Sequence, residues 1–383
     1  MKKKIKIVFY IKDPNGGTGR FIEQLQRLLS RNNLYEIRIF THIKPSGFFL
    51  KAEKIGISTK KQVRLSPFSF IIAIFNIVSL YRKILAYKPD VLISMDVYAN
   101  MVSSVLRPFF PRTKLVHSTH VNLIAHISNG RNPFFTRVLK SLILLFYKKS
   151  DCHYVPSKGL RQQLITEFFL SAEKIVHIPY PLDFNQLKGL AEEPIKSKEC
   201  IPLLKTKRKI KIFTMGRFDN QKNFLLLFKV FQVLLHKHPN IDLCVLGSGN
   251  MTEEYKQIVT KLQIVEHVHF LGWQKNPYQY LRYADMFILL TNYEGLPYVL
   301  LETQGLSIYT MSSDVDFGPR EILREPFGSL IKTKNTSEIV LLIEKAVKRK
   351  EYLKIKHKKN IFIKQFDSSV LESRYLTLFK PKQ

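Results

Sequence analysis

Residues 292–302 read NYEGLPYVLLE and set two carboxylates, Glu294 and Glu302, eight positions apart in a strongly basic chain. The preceding run MFILLT (286–291) is almost wholly apolar and predicts a buried strand, so Glu294 falls in the loop that leaves it. Gly295 and Leu296 lead to Pro297, which suits the first turn of a helix, where its missing N–H costs nothing. Glu302 then lies on about the second turn of that helix. Eight residues of helical rise span about 12 Å. That is too far for the carboxylates to act together on one bond, but it suits the two ends of one elongated ligand. Taken alone, Glu294 would serve equally as favourable charge near a helix N-terminus, and Glu302 as a surface residue.

A second group lies upstream. The strand-like run KIKIFTM (209–215) ends in Gly216-Arg217, and Lys222 follows at a predicted helix start. A small turn residue, two cations and a helix N-terminus together make an anion site, and a diphosphate is its natural guest. Surface basicity is the competing reading in a chain with 61 Lys and Arg. Combined with the two glutamates, the group would suit a ligand with hydroxyls at both ends and a diphosphate between, which is the layout of a nucleotide-sugar.

These residues need a scaffold, and the pattern supplies one. Both halves alternate short β-like runs with helical stretches, the signature of parallel sheets flanked by helices. In the first half KIKIVFYI (4–11) predicts a strand, DPNGGTGR (13–20) a Gly-rich turn, and FIEQLQRLLSRN a helix; further strands are expected at 35–40, 90–95, 114–119, 152–157 and 174–179. The second half restarts at 209–216 and continues with strands at 241–247, 267–272, 286–291 and 308–313. The expected organisation is an N-terminal Rossmann-like domain over 1–190, a polar linker over 191–208, and a C-terminal Rossmann-like domain over 209–383 whose last helix packs back on the first domain. Ligands of such open sheets sit at the C-terminal strand edges.

Taken as a set, GRFDNQKN (216–223), LCVLGSGN (243–250), the run 269–302 and SSDVDFGPREIL (312–323) resemble the group 1, or family 4, retaining glycosyltransferases of GT-B fold. The first half is similar more loosely, through GGTGR, HSTHVNLI (117–124) and 147–184. The resemblance implies a GT-B architecture: two doubly wound Rossmann-like domains with an interdomain cleft, the C-terminal one holding a nucleotide-diphosphate sugar and the N-terminal one the acceptor. It implies that Glu302 binds the ribose hydroxyls and that Glu294 lies against the donor sugar, positioning it or stabilising positive charge at its anomeric carbon. Arg217 and Lys222 would hold and neutralise the diphosphate. Backbone around Gly272 would meet the base, and Gly16 and Gly17 would let the first loop approach the phosphates. His120 would face the donor sugar, beside Asn122. The sequence departs from the family where Ser307 and Tyr309 stand in place of Gly and Pro, so a less sharp turn is expected there.

The resemblance implies metal-independent hexosyl transfer from a UDP-sugar without a cofactor. Asp314-Val-Asp316 forms a DxD, but its position after a late strand predicts a loop. Gly247-Ser-Gly249 lacks the third glycine of a dinucleotide fingerprint, and no HExxH is present. Three scattered cysteines give no disulfide framework, which suits a reducing cytoplasm. The net charge of +31 is uneven: residues 1–190 hold 30 basic and 10 acidic residues, and 101–150 hold eight basic and none acidic. No run reaches the 18–20 apolar residues of a membrane span. The expected acceptor is therefore a glycan or polyprenyl-linked precursor of lipopolysaccharide or capsule, met by a peripheral protein on the anionic inner face of the cytoplasmic membrane. Two other readings stand beside this one: a GT-B nucleotide-sugar epimerase or phosphorylase, and a basic nucleic-acid-binding protein. Against the latter, no nucleic-acid-binding module is present, and no nucleic acid is expected as partner.

Overall fold

The computed structural model describes residues 4–31, 33–43, 52–55, 67–129, 131–195, 200–206, 209–355, 358 and 360–382. Two compact units divide the chain, one formed by Met1–Pro181 with Ser368–Gln383 and the other by Leu182–Asp367. The division falls at 181/182, ahead of the expected boundary at 190. The expected linker begins inside the second unit; 196–199 and 207–208 of it lie outside the described residues.

The first unit is built on a sheet of β1 (Ile5–Ile11), β2 (Tyr35–Thr41), β3 (Ala52–Lys54), β4 (Val91–Ser94), β5 (Lys114–Ser118), β6 (Cys152–Val155) and β7 (Ile175–His177), in the order β3-β2-β1-β4-β5-β6-β7. The second holds β8 (Ile210–Met215), β9 (Ile241–Leu246), β10 (Val268–Gly272), β11 (Met286–Leu289), β12 (Tyr309–Ser313) and β13 (Gly328–Ile331), in the order β10-β9-β8-β11-β12-β13. Every strand pairing within both sheets is parallel. Helices cover both faces of such sheets, so the strands can be apolar throughout; β4, β9 and β11 are buried along their whole length. Each sheet order reverses once, between β1 and β4 and between β8 and β11, and each reversal opens a crevice at the C-terminal strand ends.

Local chemistry accounts for the helix ends near these crevices. Asp96 caps the helix Val97–Leu106 through Ala99 N and also accepts Lys12 N at 2.8 Å, tying the exit of β1 to that of β4. The first helix starts at Gly17, four residues before the expected start, with Gly19 already buried and Arg20 N reaching Gly16 O. Strands β3 and β13, three and four residues long, were too short to show a period in the sequence.

Ser307 corrects the expectation of a blunter turn. The helix Tyr298–Gly305 ends with Ile308 N on Thr303 O and Ser307 N on Gln304 O, and Ser307 takes φ +56°. These are the two bonds of a Schellman stop, normally built with glycine. The serine makes the same sharp turn, with its hydroxyl donating to Lys358 O at 2.9 Å.

Candidate functional site

The second unit's crevice is walled by two loops. After β8 the chain passes through Gly216 to Asp219 into a short 3-10 turn, Asn220–Lys222, and then the helix Phe224–Lys237. Phe218 is buried and packs edge-on to Phe224 at 4.9 Å, which anchors the loop and leaves Arg217 facing outward. Asp219 accepts Lys222 N at 3.2 Å and closes the turn. Glycine is required behind it. Gly247 sits at φ +133°, and a Cβ there would lie 1.9 Å from Gly216 O.

The other loop leaves β11. Glu294 is 5% exposed and Glu302 4% exposed, so neither is a surface residue. Lys222 Nζ donates to Glu294 Oε1 at 2.7 Å, and Thr291 Oγ lies 2.8 Å from the same oxygen. Around this pair the loops are stitched together. Thr291 Oγ and Asn292 N both reach Gln221 O at 2.9 Å, Gln221 Nε2 donates to Tyr293 O at 2.9 Å, and Asn292 Nδ2 donates to Asn220 O at 2.8 Å. Removing one partner of a buried ion pair costs about 3–5 kcal/mol, because the other charge is left uncompensated. Lys222 and Glu294 therefore define each other's position.

Pro297 is the N-cap of the helix Tyr298–Gly305 rather than a member of its first turn. Every residue of that helix is buried, and Glu302 accepts a short hydrogen bond from Tyr278 Oη. The Gly295–Pro297 backbone is braced by Gly318 at φ +93°, where a Cβ would come within 2.6 Å of Pro297 Cδ. The DxD does not form a paired acidic site: Asp314 is bound by the Arg320 guanidinium, with Nη2 to Oδ2 at 3.0 Å. Arg217, with its side chain 59% exposed, pairs with Asp219 at 3.2 Å and makes no contact with Glu294. Gly272 lies at the end of β10 with φ +68°, and its carbonyl accepts Gly247 N at 2.8 Å.

Gly16, Gly17 and His120 belong to the first unit. Gly16 caps the helix Gly17–Ser30 at φ 150°, ψ −161°, a conformation open essentially to glycine alone, and no side chain caps that helix end. His120 lies just past β5, with Nδ1 2.7 Å from Tyr180 Oη and Nε2 against Ser118 Oγ. Its ring packs on Phe21 of the same helix at 5.2 Å. Burial pushes its pKa down to about 3, so the imidazole is neutral at physiological pH. Asn122 is a helix cap, accepting Ala125 N at 3.0 Å and Gln163 Nε2 at 2.8 Å.

Seven sequence-predicted residues (Gly216, Arg217, Lys222, Glu294, Gly295, Leu296, Pro297) thus lie on two loops joined by hydrogen bonds. Glu302 lies on the helix that follows them. Thr291 and Tyr278 are additions that sequence reasoning missed. Thr291 carried a faint signal as the polar end of an apolar run, while Tyr278 lies 24 residues before Glu302 and carried none. Among the described residues no group of three His, Cys, Asp or Glu side chains is placed to hold a metal ion.

The sequence model of the family described as Glycosyl transferases group 1 matches residues 197–361, and that of Glycosyltransferase Family 4 matches 15–186. An uncharacterised glycosyltransferase of Methanocaldococcus jannaschii is 26% identical over 300 residues, covering 76% of this chain and 72% of its own. The N-acetylgalactosamine-N,N'-diacetylbacillosaminyl-diphospho-undecaprenol 4-alpha-N-acetylgalactosaminyltransferase of Campylobacter jejuni is 28% identical over 70% of each chain. In fold, the chain is similar to Anabaena HepE in complex with UDP-glucose, with a TM-score of 0.76 at 15% identity over 98% of this chain and 99% of that one. Two parallel α/β units, a basic and an acidic loop meeting at a sheet reversal, and family matches over most of the sequence lead to one conclusion: this chain belongs to the group 1, family 4 glycosyltransferases of GT-B fold.

Proposed function

We propose that the protein transfers a hexose, with retention of anomeric configuration and without a metal ion, from a UDP-sugar to a glycan or polyprenyl-linked acceptor in cell-envelope polysaccharide synthesis. The observation that carries this reading is the contact of Lys222 with Glu294, 2.7 Å apart in the second unit's crevice. It sets a diphosphate-binding cation beside a carboxylate suited to sugar hydroxyls. In this reading Glu302 takes the ribose hydroxyls, Arg217 swings from its exposed position onto the diphosphate, and backbone at Gly272 meets the base. His120, kept neutral by burial, takes no part in proton transfer. The anomeric C–O bond to the diphosphate breaks as the acceptor oxygen bonds on the same face. The acceptor's proton passes to the departing phosphate, whose charge Lys222 and Arg217 neutralise. UDP-glucose in the Anabaena structure and the diphospho-undecaprenol acceptor in the Campylobacter relative's name support this choice of donor and acceptor.

A thermal-shift screen over nucleotide-diphosphate sugars tests the donor, since a ligand specific for the folded state stabilises it by mass action. At least one UDP-sugar should raise the midpoint in the presence of EDTA, and Lys222→Met should abolish the shift. A flat response to every nucleotide would defeat the reading.

An anionic membrane surface is proposed as the place of action. Among the described residues no helix is long and apolar enough to cross a membrane. The first unit nonetheless exposes Phe75 and Val78 on the helix Pro67–Tyr87, and Phe134, Val138 and Leu145 on Pro133–Tyr147. No acidic residue occurs between 97 and 150. Each basic residue held near such a surface contributes about 1 kcal/mol. Reversing Arg112, Arg137, Lys148 and Lys149 to Glu should release the protein from phosphatidylserine-containing liposomes, and undiminished binding would refute a membrane role for this face.

A further inference from the structure

We infer that Thr291 is a positioning residue whose hydroxyl hands Lys222 from Glu294 to the donor's diphosphate; this rests on the proposed donor reading and deepens it. Without ligand, the cation meant for the diphosphate is already engaged, bound to Glu294 Oε1 at 2.7 Å in a site where both side chains are largely buried. A diphosphate that recruits Lys222 therefore strips Glu294 of its cationic partner, and a carboxylate buried to 5% exposure cannot be left unpaired cheaply.

Thr291 is the neighbour that resolves this. Its hydroxyl has one proton and three oxygens in reach: Glu294 Oε1 at 2.8 Å, Gln221 O at 2.9 Å and Tyr293 O at 3.4 Å. One proton serves one strong bond at a time. With Lys222 on Glu294, the proton is free for Gln221 O, fastening the end of β11 to the residue just before Lys222. When Lys222 turns to phosphate, the proton rotates to Glu294. Gln221 O still keeps a donor, because Asn292 N remains 2.9 Å away. No backbone movement is required, and Thr291 is itself only 2% exposed, so water does not compete for the exchange. Arrival of the diphosphate thereby leaves Glu294 oriented by a neutral donor, with its second oxygen available to the sugar.

The test is a double-mutant cycle read by calorimetry with UDP, GDP and ADP as probes. In the wild-type chain at least one of these should bind. Thr291→Val, which keeps shape and removes the proton, should weaken that binding about tenfold, and Thr291→Ser should restore it to within about threefold. In a Glu294→Gln background, where no carboxylate can be stranded, Thr291→Val should change binding less than twofold; a purely structural threonine would cost the same in both backgrounds. Thr291→Ala, read in the same two backgrounds, serves if the valine variant does not fold. Equal losses with and without Glu294, no loss at all, or no rescue by serine would overturn the inference while leaving the donor assignment standing. A wild-type chain that binds none of the three probes would overturn both.

Discussion

At the scale of single residues, the Lys222–Glu294 pair engages the cation that the proposed donor would recruit. Replacing Glu294 by Gln removes the competitor, so UDP should bind about tenfold tighter while sugar transfer falls by at least about a hundredfold. Calorimetry and a transfer assay on the same preparation check both halves; weaker UDP binding would contradict the competition. The placement of Arg217 and Glu294 on loops was legible because each follows an apolar run that predicts a buried strand. Side-chain partners were not. Tyr278 meets Glu302 through the fold alone, and no spacing rule links a tyrosine to a carboxylate 24 positions away. Asn122, the neighbour of His120 in the sequence, caps the next helix through Ala125 N and accepts Gln163 Nε2, two bonds that no local spacing announces.

At the scale of elements, the stop after Tyr298–Gly305 is strained by its serine. An L-residue at φ +56° costs about 1 kcal/mol relative to glycine, offset in part by the bond to Lys358 O. Ser307→Gly should raise the thermal midpoint of the second unit by about 1–4 °C, measured by scanning calorimetry; a fall would show that the hydroxyl bond outweighs the backbone strain. Apolar runs made β4, β9 and β11 legible, since buried parallel strands need no alternation. Element edges were harder. The first helix absorbed a Gly-rich stretch that local propensity assigns to a turn, starting behind Gly16, which offers no side-chain cap. Gly305 also shows how tertiary packing overrides local reading: a Cβ there would fall 2.7 Å from both Phe184 and Leu187, so the helix Phe184–Glu192 seats on it and joins the second unit.

At the scale of the molecule, the first unit concentrates buried histidines. Burial pushes His42, His153 and His177 down to about 4 and His120 to about 3, and holds His117 well below its ordinary value. A depressed folded value means the unfolded chain takes up protons first. Their contribution is intact above about pH 6.5 and is lost as pH falls through 6 and 5, on the order of 2 kcal/mol by pH 5 for each fully buried ring. In the second unit, burial pushes Asp242 up but His269 and Lys209 hold it below its usual value, so its contribution survives until pH falls below about 4. Acid should therefore unfold the first unit before the second. The single tryptophan, Trp273, lies in the second unit. Helical circular dichroism should fall at a higher pH than tryptophan emission shifts; coincident transitions would refute the ordering. The uneven charge and the two-unit plan were legible from composition and periodicity, whereas the place where one unit gives way to the other was not, because it is set by packing.

The C-terminal helix Ser368–Leu378 belongs to the first unit, where Tyr375 is fully buried with its hydroxyl 2.9 Å from that of Tyr154, and Phe379 packs edge-on to Phe9 at 6.1 Å. On the ribosome this reverses the usual sequence of events. The second unit is one uninterrupted stretch and has all its parts once residue 367 emerges, whereas the first waits with an open core for a segment made almost 200 residues after the rest of it. Ending the chain after Asp367 should leave tryptophan emission native and the first unit molten, and a nascent chain stalled short of Ser368 is the form in which a chaperone would find the most to hold.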